Sequence, residues 1–358
     1  MKNSIALLQS FASVWCARYL NGRNRQMPFV YLDITDRCNS ACLACDIWKV
    51  RKTGAAELTT DEILALKPAL KRMKTRLISI GGGEPTLRDD LETCIAGFRD
   101  IGLSVHINTN ALKMDCKRAK SLVDSGLSVV YISCDHPDRE GYKLIRGVDG
   151  LNRVIDAVKY FRSLPEPIPV GINITVSRLN KDVLEKLAQR CVEWGVQKIQ
   201  FNLIHTHLQH QNMDKEIFNS LLPKAEDILH IKATLKRVLC RLQKLKVSTN
   251  SEFFIHHFEK TYIPVRSAPC IAGFLYVIID PYGQIMPCYQ YQTDLNIRRK
   301  SLDKLVQTSK FQNKLVCVKQ CKTPCWDTGS AEPGIRFYLP YLAAHPYEIY
   351  QQAKIHLL

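Results

Sequence analysis

Three cysteines stand close together in the segment DRCNSACLACDIW: Cys38, Cys42 and Cys45. Thiols so spaced can converge on iron or zinc, because soft sulfur suits those metals and a short loop brings several sulfurs to one centre. Three thiolates do not complete a structural zinc site, which needs four ligands. They suit an iron-sulfur cluster with one open iron, to which a small molecule can bind directly. A second set, Cys270, Cys288, Cys317, Cys321 and Cys325, lies toward the C-terminus. Fourteen cysteines in 358 residues, with no export signal, do not make a disulfide scaffold, which is usually short, secreted and denser in cysteine.

The elements that must position the triplet are legible around it. Cys38 follows an apolar strand-like run, Phe29 to Thr35. A helix-like stretch, Asp61 to Lys71, and a strand-like run, Leu77 to Ile80, lead into Gly81-Gly82-Gly83-Glu84-Pro85, which taken alone reads as a glycine-rich turn closed by proline. Strand candidates at Val105 to Asn108, Val129 to Ser133, Val170 to Val176 and Ile199 to Ile204 alternate with helical segments. Six βα units of this kind build a parallel sheet. Ligands gather at the carboxyl ends of such strands, where Asn108, Thr109, Asn110, Ser133, Asp135, Asn173 and Thr175 fall.

In this order the motifs resemble the radical S-adenosylmethionine (radical SAM) superfamily. The resemblance implies a partial (β/α)6 barrel in which Cys38, Cys42 and Cys45 hold a [4Fe-4S] cluster and SAM is cleaved reductively to a 5'-deoxyadenosyl radical that takes hydrogen from a substrate. It implies a SAM-binding role for Gly82, Gly83, Glu84 and Pro85, the glycines giving the ligand access to backbone and the carboxylate facing its ammonium. Ser133 and Asn173 fall where SAM's ribose and carboxylate are contacted, with Asn108 grouped beside them, and Val176 where adenine is covered. Arg146, in HPDREGYKLIRG, pairs either with the SAM carboxylate or with a backbone carbonyl. In many members an aromatic residue precedes the third cysteine; here it is Ala44, leaving Trp48 either to cover that space or to pack as an ordinary aromatic.

The C-terminal set, CIAGFLYVIIDPYGQIMPC and CVKQCKTPC, reads as a hairpin around Pro281-Tyr282-Gly283 followed by clustered thiols. It resembles the SPASM/twitch domains of radical SAM enzymes, which implies one auxiliary [4Fe-4S] cluster on Cys270, Cys288, Cys321 and Cys325, with Cys317 as alternate. Tetrahedral zinc suits four thiolates equally well. Cys16, Cys94, Cys116, Cys134, Cys191 and Cys240 read as small buried hydrophobes. His205, His207 and His210 follow the last strand and either face substrate as acid or base, His205 and His207 above all, or decorate a surface loop.

Composition sets the remaining bounds. The chain is 46% hydrophobic and 23% charged, with 17 Gly and 16 Pro, which excludes collagen-like and largely disordered classes. A net charge of +16 permits anionic partners, but the basic residues are dispersed and no recognition motif accompanies them, so nucleic acid is not expected. No apolar run reaches the length of a spanning helix. Leu7, Leu8, Phe11, Val14 and Trp15 recur at helical spacing, and the helix they imply is expected to pack on the protein. The expected layout is an N-terminal helical extension (1–28), the barrel (29–215), a helical connector (216–265), a twitch-like cluster domain (266–330) and a tail (331–358). Only 28 residues precede the first strand, which leans toward a small, carbohydrate-like or phosphorylated substrate over a peptide, or a peptide recruited by a partner. A reductant such as flavodoxin or ferredoxin and a cytoplasmic setting complete the expectation. An iron-sulfur electron carrier and a zinc-thiolate nucleic-acid binder are the competing classes; the first has no use for Gly82 to Pro85, the second none for the Cys38 triplet.

Overall fold

Every second residue of the barrel strands is apolar and fully buried, as Val30, Leu32 and Ile34 are in the first strand. Alternation of side chains across a pleated strand puts those residues on one face and leaves the other face for different chemistry. The computed structural model describes residues 2–20, 25–49, 55–204, 214–261, 268–323, 325–326 and 328–345. Its barrel strands are β1 (Phe29–Thr35), β2 (Leu77–Gly82), β3 (Ser104–Thr109), β4 (Val129–Ser133), β5 (Val170–Val176) and β6 (Lys198–Leu203). They pair in sequence order and all in parallel. The result is an open, partial (β/α)6 barrel. At its far edge β6 is covered by a bridge to Ser248.

Helices cover the apolar face. Helix α1 (Lys2–Tyr19) precedes the barrel. It packs on the protein as its pattern implies: Val14 and Ala17 are buried, Phe11 stacks on Phe337 with ring centroids 4.5 Å apart, and Arg18 Nε donates to the Cys270 carbonyl at 2.8 Å. Among the described residues no helix is long and apolar enough to cross a membrane. The stretch Asp61 to Lys71 is two helices, α2 (Thr60–Leu64) and α3 (Lys67–Arg72). A capping box between Thr59 and Glu62 starts the first; Pro68, with no N–H to give the preceding turn, separates the second. Helices α4 (Leu91–Arg99), α5 (Cys116–Asp124), α6 (Arg139–Arg146), α7 (Leu151–Ser163) and α8 (Leu184–Glu193) follow the middle strands. After β6 come α9 (Lys215–Leu221) and α10 (Ala225–Lys244). Helix α10 packs against α8 through a buried stripe of Ile231, Leu235, Val238 and Leu242, so this part of the segment expected as a connector lies in the barrel's outer layer. Its Lys236, Arg237, Arg241 and Lys244 are exposed, a solvated basic face.

The C-terminal segment holds α11 (Glu252–His256), β7 (Tyr276–Ile279), β8 (Ile285–Met286), α12 (Leu302–Leu305), α13 (Ser309–Gln320), α14 (Ala331–Ile335) and α15 (Leu339–Ala344). The hairpin is present, β7 pairing antiparallel with β8, but β7 also pairs in parallel with β1, extending the barrel sheet itself. Around this seam Leu58 N donates to the Pro281 carbonyl at 2.7 Å and Arg72 grips Asp303 with two bonds of 2.7 and 2.8 Å. Sharing strands and core, the two parts are expected to unfold together. Ile279→Ala, at a fully buried site beside β1, should cost about 2–5 kcal/mol and shift a single transition; a separate early transition of the C-terminal segment in differential scanning calorimetry would refute the shared core.

Candidate active site

The cysteine loop leaves β1 at Thr35 and is held on two sides by backbone. On one side Gly83 N donates to the Thr35 carbonyl at 2.7 Å and Glu84 N to the Arg37 carbonyl at 2.8 Å. A Cβ on Gly82, which has φ +111°, would lie 2.3 Å from the Thr35 oxygen; one on Gly83 would lie 2.2 Å from the Arg37 oxygen. These glycines are therefore required by the protein's own backbone. On the other side Ser40 Oγ donates to the Arg146 carbonyl at 2.9 Å and Leu43 N to the Ile145 carbonyl at 2.9 Å. Gly147, left-handed at φ +67°, passes so close that a Cβ would meet the Ala41 oxygen at 2.3 Å.

Glu84 is fully enclosed. Its Oε1 accepts from Thr86 N at 3.1 Å, Thr86 Oγ1 at 2.5 Å and Thr109 Oγ1 at 2.6 Å, while Oε2 accepts from Asn110 N at 2.6 Å. Four protein donors thus hold the Glu84 carboxylate, three on Oε1 and one on Oε2, so it ties the Gly82 to Pro85 turn to the end of β3 whatever else it meets. Through Asn110 the same carboxylate steadies the loop, since Asn110 Nδ2 donates to Asn39 Oδ1 at 2.7 Å and stands 3.9 Å from Cys38 Sγ.

Cys38, Cys42 and Cys45 are half-buried, and Cys42 lies close enough to Cys38 and Cys45 to help raise both of their thiols. Burial raises the Cys38 thiol and pushes Cys45 up to about 11; thiols of this kind surrender their protons when metal binds. Beside Cys42 lies Arg146, whose Nη1 bonds Asp135 Oδ2 at 3.1 Å. Burial opposes its charge, but Cys42, Asp135 and Tyr142 raise its pKa above the usual value. Its Nε is buried without a hydrogen-bond partner, so one donor remains for an anion at the loop. Among the described residues no group of three His, Cys, Asp or Glu side chains is gathered tightly enough for a single ion. A cluster of several irons spreads its ligands farther, and three loop thiols beside a buried guanidinium fit such a group.

Below the loop the inner face of the sheet lines a cavity of about 400 Å³. A relay crosses it, Asn173 Nδ2 to Asn108 Oδ1 at 3.0 Å and Asn108 Nδ2 to Ser79 Oγ at 3.1 Å, and Asn173 Oδ1 is buried without a partner. Ser133 stands in register with Asn173 on the neighbouring strand. Val176 is a correction: strand alternation places it with Ile172 and Ile174, fully buried in the helix-facing core, so its side chain packs into protein. Trp48 is 41% exposed and its Nε1 donates to the Cys42 carbonyl at 3.4 Å. His205, His207 and His210 lie outside the described residues. Of the cysteines read as buried, Cys94, Cys134 and Cys191 are, whereas Cys16, Cys116 and Cys240 sit on exposed helix faces.

In the second set burial pushes the Cys288 thiol up to about 12, and the nearby Cys270 and Cys321 add to the rise. Tyr291 bonds Cys321 and lies near Cys317. Cys325 Sγ is 3.7 Å from Ser330 Oγ. A link between the two cysteine sets was not foreseen from sequence: Tyr289, next to Cys288, donates to Asp33 Oδ2 at 2.8 Å, and Tyr282 bonds Asp36. Burial lifts the Asp33 carboxyl to about 6, Tyr289 working against it and Asp280 adding to it. The sequence signal was present, because Asp33 is two residues from Tyr31 and so shares the inner face.

Residues 32–199 match the radical SAM superfamily. The chain is 24% identical over 267 residues to a PqqA peptide cyclase of Rhodopseudomonas palustris, covering 74% of this chain and 67% of that one. It is 29% identical over 245 residues to a probable GTP 3',8-cyclase of Thermococcus kodakarensis, covering 67% and 73%. Streptococcus suis SuiB bound to precursor peptide SuiA shares the fold at a TM-score of 0.65 and 16% identity, over 84% of this chain and 71% of that chain. So does anSMEcpe with bound AdoMet, at 0.64 and 18%, over 91% and 99%. Residues 32–199 are thus a radical SAM domain, and the chain resembles SPASM/twitch-bearing enzymes of that superfamily; such a domain implies a [4Fe-4S] cluster and SAM.

Two outcomes follow from this geometry. Gly83→Ala should displace the cysteine loop, lowering stability by roughly 2 kcal/mol or more and reducing iron per chain; wild-type iron content and melting temperature would remove the steric argument. Because the folded carboxyl of Asp33 binds its proton more tightly than the unfolded chain does, its contribution to stability is complete below about pH 4 and is lost as pH rises through about 6. Asp33→Asn, which keeps an acceptor for Tyr289, should therefore melt higher than wild type at pH 7.5 and lose that advantage toward pH 5. Equal advantage at both values would contradict this.

Proposed function

We propose that this enzyme reductively cleaves SAM at a [4Fe-4S] cluster held by Cys38, Cys42 and Cys45, and takes hydrogen from a substrate lodged in the barrel cavity. The observation that carries the reading is a clamped three-thiol loop at the carboxyl ends of the strands, above a lumen lined in part by Asn108 and Asn173. When bound, the cluster and SAM supply the 5'-deoxyadenosyl radical. The chain's own residues orient and enclose: Gly82, Gly83 and Pro85 present backbone, Glu84 fixes Asn110 against the loop, and Arg146 offers its remaining donor to the SAM carboxylate. Asn108, Ser133 and Asn173 supply polar contacts to the ribose, and the apolar majority of the cavity lining limits side reactions of the radical.

Cys270, Cys288, Cys321 and Cys325, with Cys317 as alternate, are assigned to one auxiliary [4Fe-4S] cluster, and Asp33 with Tyr289 bridges the space between the two sets. An auxiliary cluster there could accept an electron from the substrate radical. The cavity has the size of a small-molecule site, with room for a metabolite or for one residue of a peptide. Similarity to GTP 3',8-cyclases supports the small phosphorylated molecule. Similarity to PqqA peptide cyclases, and a fold shared with a structure holding a precursor peptide, supports a peptide at least as well. Flavodoxin or ferredoxin would deliver the electron.

Protein reconstituted anaerobically and reduced with dithionite should form 5'-deoxyadenosine from SAM, and the variant with Cys38, Cys42 and Cys45 all changed to Ala should form none above background. No product from wild type shown to hold iron and sulfide would reject the activity in favour of an electron carrier.

A further inference from the structure

We propose that Gln200 and Asn202, on the inner face of β6, form a subsite for an uncharged amide edge of the substrate, a C=O beside an N–H, carried either by a peptide or by the lactam of a nucleobase. This names the chemistry of the cavity already read as the substrate site, and it rests on that reading. Both side chains line the cavity. They stand two residues apart on one strand, with Phe201 between them turned into the core, so they share the inward face. Gln200 is in register with Asn173, and Asn173 with Ser133. A group held by Gln200 therefore adjoins the place proposed for the SAM ribose, where hydrogen would be taken.

The open hydrogen-bonding groups specify the ligand. Among the described residues Gln200 makes no hydrogen bond, so its amide presents an acceptor oxygen and a donor NH2. Asn202 is oriented from the C-terminal segment: Thr328 Oγ1 donates to its Oδ1, which leaves Nδ2 as a donor. A carboxylate or phosphate would answer the donors but set its oxygens against Gln200 Oε1. An ammonium would leave every donor unanswered. An amide edge answers both kinds, and a side-chain amide meets it through two parallel bonds, as Gln meets the adjoining donor and acceptor of adenine. Lone hydroxyls offer no such planar pair. Polar groups enclosed without partners are costly, so a site of this kind discriminates strongly in favour of the ligand that completes it.

The base of the subsite suits a flat group. Tyr131 stands in register with Gly171, two residues before Asn173. A Cβ on Gly171 would lie 2.6 Å from the Tyr131 ring, so the ring leans across β5 toward β6, where Lys198 Nζ lies 5.5 Å from its centroid. The ring gives a planar amide or base a surface to rest on, and its hydroxyl makes no hydrogen bond among the described residues. About 400 Å³ of cavity accommodates a nucleoside or one amino-acid residue.

Calorimetric titration of the anaerobic, unreduced holoenzyme carrying SAM tests the subsite with three probes: guanosine, N-acetylphenylalaninamide and methyl glucoside. Wild type should bind at least one of the first two. Guanosine alone identifies a nucleobase lactam, the acetylated amide alone a peptide group, and both an amide edge from either source. Methyl glucoside, which offers hydroxyls only, should not bind. Gln200→Leu and Asn202→Leu should each weaken the bound probe about tenfold or more, and Lys244→Gln on the exposed face of α10 should leave binding unchanged. Absence of binding by both amide probes, equal binding by the glucoside, or wild-type affinity in folded Gln200→Leu and Asn202→Leu proteins overturns the proposal. Should Gln200→Leu not fold, the near-isosteric Gln200→Glu, which keeps the acceptor and loses the donors, takes its place. With no reductant present, binding is read without turnover, and 5'-deoxyadenosine formation is measured separately with dithionite on the same preparations. No binding by wild type beside intact formation rejects the subsite alone, and the converse rejects the enzyme reading alone.

Discussion

The structure depends on how closely backbone approaches backbone at the cysteine loop. Thr35, Arg37 and Ala41 present carbonyl oxygens where Gly82, Gly83 and Gly147 have no side chain. Hydrogen bonds across these contacts contribute only about 0.5–1.5 kcal/mol each. The steric exclusion behind them is far harder, since any β-carbon would sit well inside van der Waals distance. The loop is therefore fixed by what cannot fit beside it, and three flexible thiols acquire a defined address. Glu84 extends the same constraint, because its buried carboxylate ties the β2 turn to the end of β3.

From that fixed point the sheet divides the molecule into two environments. One face, covered by helices, is aliphatic and supplies the core; the other carries Ser79, Asn108, Asn173 and Gln200. Segments far apart in the chain take part in this division: α1 and the residues around α14 line the lumen at its lower end. The hairpin of β7 and β8, by pairing with β1, brings the second cysteine set to the barrel wall. Tyr289 and Asp33 then connect the two sets through one hydrogen bond, a distance that separate domains joined by a linker would not maintain.

Much of this was legible in the sequence where one-dimensional pattern suffices. Three strands, Phe29–Thr35, Val129–Ser133 and Val170–Val176, match the structure end to end, because buried parallel strands read as continuous β-branched runs. The cysteine spacing and the glycine turn were equally plain. What could not be read depends on three dimensions. The bonds of Glu84 to Thr109 and Asn110 are decided by the neighbouring strand, and the side of β5 occupied by Val176 by register. That β7 lies against β1 is a pairing between residues far apart in the chain. Gln200 and Asn202 did leave a trace, two amides at alternate positions inside an apolar strand run, but only the folded sheet turns that trace into a shared cavity. Cys116 and Cys240 were misread because helical periodicity, not residue type, decides exposure.

The partnership of β1 with β7 also orders events during synthesis. β1 is among the first segments to leave the ribosome and finds β2 soon afterwards, yet its other edge has no partner until Tyr276 to Ile279 are made. At ~5–20 residues per second, that interval is on the order of ten seconds or more. Throughout it, an apolar strand presents unpaired amides and carbonyls, the feature that invites wrong strand pairing. The seam that makes the finished enzyme one body thus makes its nascent form dependent on protection of that edge, and heterologous yield should respond to translation speed and chaperone supply more than to the stability of the completed fold.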